Sequence, residues 1–167
     1  MARDDRASFT TWARAHQHRL VRTAYLLCGD QGRAEDLAQE ALIKVARQWP
    51  KLRDGEPYAY ARRILVNDNI SWWRRRRPDV VLSDVPELSA AGPDNSVHRR
   101  LALTDALAQL APKQRAVLVL RYYEDLTEAQ TAQALGISVG TVKSQAHDAL
   151  RRLRETSPEL AEFIGGK

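Results

Sequence analysis

The 167-residue chain holds one cysteine, Cys28, so it can form no internal disulfide, and a cysteine-rich zinc site is excluded. Its four histidines are scattered, and none stands with acids or cysteines at metal-ligand spacing. A glycine-rich phosphate loop is missing, as is any recognisable pairing of nucleophile and base, so neither a cofactor nor an enzymatic activity is expected. No apolar run approaches the ~18 residues that a membrane helix needs. Met1 leads through Ala-Arg-Asp-Asp-Arg into an amphipathic segment instead of an apolar signal core, and the expected compartment is the cytoplasm. Strand signals are also nearly absent. The longest β-looking run, Val117 to Tyr123, lies inside a longer helical pattern and reads as buried helix.

What is present is helix, in two blocks. A chain of this length accommodates two small domains, each able to bury a modest core. Lysine and arginine number 26 against 21 acids, a net charge of +5 that suits a polyanionic partner, and the basic residues are unevenly spread.

The first block reads as three helices. Ser8 to Leu27 places Phe9, Trp12, Ala13, His16, Leu20, Ala24 and Leu27 on one face, with Ser8 as N-cap and Gly29 as left-handed terminator. His16 fits a satisfied interfacial histidine better than a ligand. Asp30 caps a second helix whose stripe is Ala34, Leu37, Ala38, Ala41, Leu42, Val45, Ala46 and Trp49, stopped by Pro50. Its opposite face gathers Asp36, Gln39 and Glu40 through i, i+3 and i+4 spacing, which alone is an ordinary solvent face. Pro57 opens a third helix that buries Tyr58, Ala61, Ile64, Leu65 and Trp72 and ends in Trp72-Trp-Arg-Arg-Arg-Arg77. Arg62, Arg63 and Arg74 to Arg77 set six cations against one acid, Asp68, which favours salt-dependent nucleic-acid binding. Tyr60 and Trp73 are open to two readings, stacking on unpaired bases or packing in the core.

Residues 78–96 carry three prolines, four acids and no lysine or arginine, and read as a flexible linker. Fully extended, its ~19 residues reach roughly 60 Å, more than one ~34 Å turn of DNA.

The second block contains the most specific local pattern. Thr127 with Gln130 forms a capping box, Ala132 permits close helix crossing, Gly136 supplies a positive φ, and Ser138 caps a helix whose Val142, Ala146, Ala149, Leu150 and Leu153 point inward. This spacing is that of a helix-turn-helix. Gly140, Ser144, His147, Asp148 and Arg151, flanked by Thr141 and Lys143, form an outward stripe able to meet base edges and phosphates in a major groove. The predicted organisation is therefore all-α: a helical domain at 1–77, a linker at 78–96, a helix-turn-helix domain at 97–157, and a loosely held tail at 158–167.

Taken in order, these segments resemble the extracytoplasmic-function (ECF) group of RNA polymerase sigma factors. Ala34-Glu-Asp-Leu-Ala-Gln-Glu-Ala-Leu-Ile-Lys-Val45 is similar to that family's polymerase-binding helix. Tyr60-Ala-Arg-Arg-Ile-Leu-Val-Asn67 and Ser71-Trp-Trp-Arg-Arg-Arg-Arg77 resemble its −10-reading segment, the latter in the manner of an actinobacterial SigE-like subgroup. Leu110 to Thr127 and Leu135-Gly-Ile-Ser-Val-Gly-Thr-Val-Lys-Ser144 resemble its −35-reading domain. The resemblance implies a two-domain fold of sigma region 2 and region 4 type. It implies that Asp36, Gln39 and Glu40 meet the β′ coiled coil of core RNA polymerase, whose β flap is a second contact, and that promoter DNA is a partner. Tyr60, Arg63, Asn67, Trp73, Arg74 and Arg75 would serve the −10 element, and Thr141, Lys143, Ser144, His147, Asp148 and Arg151 the −35 element. Lys51 to Glu56 would pocket a flipped base, the acidic linker would follow the RNA path of the core enzyme, and an anti-sigma factor would hold the chain inactive. The chain departs from the family at Asp148 and Gln145, where basic residues are usual, and at Ser71, where an acid is usual. An acid facing the groove repels phosphate but accepts from cytosine N4.

Two other readings fit parts of the chain. A stand-alone helix-turn-helix regulator would use the first block for dimerisation or sensing and would bind a palindromic duplex unaided. A nucleic-acid enzyme would need a catalytic constellation that these residues do not form.

Overall fold

The computed structural model describes residues 1–76 and 95–165. Among them there is no strand, and no helix is long and apolar enough to cross a membrane. Most of the expected linker, along with Arg77, lies outside the described residues.

Helix α1 spans Arg3–Cys28 and ends at Gly29 in the left-handed region at φ 71°. It begins five residues before the predicted start. Asp5 in its first turn is held by Arg53 at 2.6 Å, a contact 48 residues away that no local pattern announces. Ser8 is therefore interior: its hydroxyl donates to the Asp5 carbonyl and accepts from the Trp49 indole at 2.8 Å. Helix α2, Gln31–Leu52, is capped by Asp30, whose carboxylate accepts from the Arg33 amide at 2.7 Å. Pro50 does not stop it. So close to the C-terminus proline disrupts little of the remaining ladder, and the helix continues for two more residues. Helix α3 runs Pro57–Arg76. The three pack around Leu20, Ala24, Leu27, Ala41, Val45, Ala61, Leu65 and Val66, all fully buried. His16 stacks on Trp12 at 4.9 Å and its Nδ1 is 2.8 Å from the Trp12 carbonyl, the satisfied interfacial arrangement expected of it.

The remaining helices are α4 (Asn95–Ala108), α5 (Pro112–Leu118), α6 (Glu128–Leu135), α7 (Val139–Thr156) and α8 (Pro158–Gly165). The predicted helix over Val117–Tyr123 is only partly α: Val119–Tyr123 forms a π-helical turn directly after α5. The tail expected to be loose folds instead as α8, with Ala161 buried and Leu160 and Ile164 packed on the core. Its apolar residues sit at i and i+4, so they find a shared surface once α7 is in place.

One hydrophobic cluster runs through both blocks, from Leu20 and Val66 to Leu107, Leu118 and Leu153. A second, small cluster of Val117, Ala132 and Val142 holds α6 and α7 against α5. Arg115, buried to 5% exposure, joins the blocks at the helix ends. It donates to the carbonyls of Leu107 and Leu110 in its own block and to that of Leu27, the last turn of α1, at 2.5 Å. Asn69 donates to the same Leu27 oxygen, so this otherwise orphaned helix-terminal carbonyl is satisfied twice.

Candidate nucleic-acid interface

The helix-turn-helix is built by local chemistry. Thr127 and Gln130 exchange the two capping-box hydrogen bonds at 3.1 and 2.9 Å, fixing the start of α6. Gly136 then takes φ 65°, a value that a side chain would strain, and turns the chain. Ser138 accepts from the Thr141 amide and begins α7. Val142, Ala149 and Leu153 are buried, which rolls the opposite stripe of α7 outward. Lys143, Ser144, His147 and Arg151 are exposed there, while Thr141 and Asp148 are half-buried. Asp148 sits 3.6 Å from Arg151 one turn on, a surface ion pair that partly offsets its charge. Lys143 lies 3.9 Å from Glu128 on α6.

On α3 the residues singled out by sequence divide between two sides. Tyr60, Arg63, Asn67 and Arg74 follow i, i+3, i+7 and i+14 and form one stripe. Arg63, Arg74 and Arg75 are exposed, Tyr60 is half-buried against the core, and Asn67 donates from Nδ2 to the Ala134 carbonyl of α6 at 3.2 Å. Trp73 lies away from that stripe, with the Arg115 guanidinium 5.5 Å from its ring centroid and a buried indole N–H that has no partner. Trp72, expected in the core, is half-buried between two guanidinium groups, Arg33 at 3.4 Å and Arg76 at 4.0 Å from the ring centroid. The cationic run at the end of α3 supplies a partner that hydrophobic periodicity does not reveal.

Asp36, Gln39 and Glu40 are all exposed on one face of α2. Beside them Lys44 bridges Glu40 at 4.0 Å and Asp68 of α3 at 2.8 Å, tying the acidic face to the basic helix. The three groups of sequence-selected residues thus lie on three different helices, α2, α3 and α7. No cluster of histidine, cysteine or acid able to hold a metal exists among the described residues.

The residue that sequence reasoning missed is Glu124. Its carboxylate is fully buried and accepts from Thr23, Tyr58, Arg19 and Arg62. Burial first, then the neighbouring Glu124 charge, pushes the Tyr58 phenol well above its ordinary range and keeps it a donor. The only available signal was an acid after an apolar run, indistinguishable from a solvated turn residue.

Comparison with known proteins gives two family matches, one per block and in sequence order: Sigma-70 region 2 over residues 12–78 and Sigma-70 region 4 over residues 100–153. The chain is 42% identical over 161 residues to the RNA polymerase sigma-E factor of Streptomyces avermitilis, covering 93% of this chain and 88% of that one. It is 38% identical over 153 residues to the ECF RNA polymerase sigma factor SigL of Mycobacterium tuberculosis, covering 87% and 86%. A solved structure of similar fold is the sigma factor RpoE of Bartonella quintana in complex with the anti-sigma factor NepR, with TM-score 0.69, 24% identity and coverage of 88% and 94%.

Proposed function

From the premise that this chain belongs to the ECF group of RNA polymerase sigma factors, we propose that it binds core RNA polymerase and directs promoter-specific initiation, α3 serving the −10 element and α7 the −35 element. The observation that carries this is the pairing, on one chain and in order, of a region 2 match holding the cationic α3 with a region 4 match holding a fully capped helix-turn-helix.

In this reading Asp36, Gln39 and Glu40 meet the basic β′ coiled coil, where opposite charge speeds encounter and sets register. Tyr60, Arg63 and Asn67 hold −10 bases unpaired, with Trp73, Arg74 and Arg75 adding stacking and phosphate contact. Thr141, Lys143, Ser144, His147, Asp148 and Arg151 face the −35 duplex, with Lys143 and Arg151 carrying the charge that Asp148 offsets. The β flap would hold the C-terminal block at its distance from the first. An anti-sigma factor is a further proposed partner, by resemblance to the family.

Run-off transcription with core polymerase and a promoter library is the test. The expected result is specific initiation that requires both proteins. A dimer that seizes a palindromic operator without polymerase would establish the stand-alone regulator instead. Within an active holoenzyme, Asn67→Ala is expected to slow promoter opening roughly tenfold, the effect of losing one well-placed hydrogen bond. Core affinity should not fall. Unaltered permanganate reactivity of the −10 thymines would remove Asn67 from that role.

A further inference from the structure

Arg33, in the first turn of α2, reaches across to the end of α3 and is held there from two directions. Its guanidinium lies 3.4 Å from the Trp72 ring centroid, and Nη2 donates to Asn69 Oδ1 at 3.3 Å. Asn69 is itself fixed: it is 1% exposed, and its Nδ2 donates to the Leu27 carbonyl. A long side chain is thereby set in place before any ligand arrives, which removes part of the ordering cost of binding. The Arg33 Nε is buried and has no hydrogen-bond partner.

What surrounds this cation is more positive charge. Arg76 lies 4.0 Å from the same ring centroid, and Arg74, Arg75 and Arg76 are all exposed. Among the described residues no carboxylate pairs with any of these guanidinium groups. Asp30 commits its carboxylate to the Arg33 amide at 2.7 Å, and Glu35 accepts from Gln31 at 2.8 Å. Burial, together with the Arg76 and Arg75 charges, pulls the Arg33 pKa below its ordinary value against the opposing pull of Cys28 and Asp30. Arginine cannot escape such repulsion by giving up its proton. An incoming anion relieves it. A guanidinium can rest on an aromatic ring and still offer its N–H edge to phosphate oxygens in pairs. The basic coiled coil assigned above to Asp36 and Glu40 would repel Arg33, so the fitting occupant is nucleic acid.

We propose that Arg33 is a phosphate anchor: with the Arg74–Arg76 run it forms a binding site for the DNA backbone across the first turn of α2 and the last turn of α3. The inference rests on the sigma-factor reading above, in which α3 serves the −10 element. The anchor reads no base. It sets the register in which α3 presents Arg63 and Asn67, because phosphate contacts position a protein without carrying sequence. Helix α2 then serves two partners, polymerase through Asp36, Gln39 and Glu40 and DNA through Arg33.

The test measures holoenzyme binding to a promoter duplex, and to one with a scrambled −10 element, over a series of salt concentrations. Arg33→Gln is expected to weaken binding about tenfold, the effect of losing one charge-assisted contact. The factor should be the same on both duplexes, and the slope of log affinity against log salt should become shallower by about one. Arg33→Lys keeps the charge without the planar fork, so its slope should hold while affinity falls about threefold. Affinity for core polymerase should not change in either variant. An unaltered slope in folded Arg33→Gln overturns the anchor, as does a loss confined to the intact −10 sequence or a loss of core affinity. If circular dichroism shows that Arg33→Gln has lost its fold, Arg33→Lys decides, and parental affinity in that variant overturns the anchor. A parent chain that does not join core would overturn the sigma-factor reading instead, while the same salt series on the free chain and duplex would still decide for or against Arg33.

Discussion

Asp36→Arg combined with Glu40→Arg is expected to weaken core polymerase binding about 100-fold, the result of setting like charges together at an interface built on opposite ones. Both side chains are exposed on α2 and make no contact with the core, so the fold should survive. The one ion pair lost, Glu40 with Lys44 at 4.0 Å, is a surface i, i+4 pair contributing only about 0.3–0.5 kcal/mol. Thermal stability should consequently stay near that of the parent. The defect should also shrink as salt rises, since screening acts on repulsion as it does on attraction. Biolayer interferometry at two ionic strengths, beside a thermal melt, separates these outcomes. Equal affinity for parent and variant would mean that the acidic face of α2 is only solvated surface.

The largest expected loss of stability comes from Arg115→Met. The side chain is 5% exposed, and its guanidinium serves carbonyls at the C-terminal end of α1 and around the end of α4. Methionine fills much of the volume but donates nothing, so the Leu110 carbonyl loses its side-chain donor and those of Leu27 and Leu107 each keep one donor fewer. The expected cost is about 3 kcal/mol, or a melting temperature lower by roughly 10 °C for a chain of this size. Desolvation lowers the Arg115 pKa to about 10, still well above neutrality, so the group is charged in folded and unfolded chains alike and the loss should be constant between about pH 6 and 8. Arg115→Lys should recover little, because one ammonium on a flexible stem does not reproduce the planar fork. A melt within about 2 °C of the parent would show that water satisfies those carbonyls without cost.

Sequence told most about the structure where the physics is local. Gly29, Asp30, the Thr127–Gln130 box, Gly136 and Ser138 each act within a turn of their own position, and each marks the boundary expected of it. It told less where a partner lies far along the chain. Asp5 extends α1 because of Arg53, α8 forms because α7 offers it a surface, and Trp72 leaves the core because Arg33 and Arg76 enclose it. The polar stripe of α7 was legible from periodicity. The acidic face of α2 gained meaning only through family resemblance, since a solvated helix face has the same pattern. Glu124 was invisible for a stronger reason: its four donors lie more than 60 residues away.

The setting of Trp72 gives the molecule a built-in reporter. Two cations lie over its indole at 3.4 and 4.0 Å from the ring centroid, and one of them, Arg76, belongs to the exposed basic run at the end of α3. A nucleic-acid phosphate that draws Arg76 away removes one of the two cations from the ring and changes its ultraviolet emission. Trp73 packs edge-on against Trp72 at 4.8 Å and shares the change, whereas Trp12 and Trp49 sit in a separate aromatic nest with Phe9. Occupancy of the basic end of the helix is thereby written into the intrinsic fluorescence of the unlabelled protein.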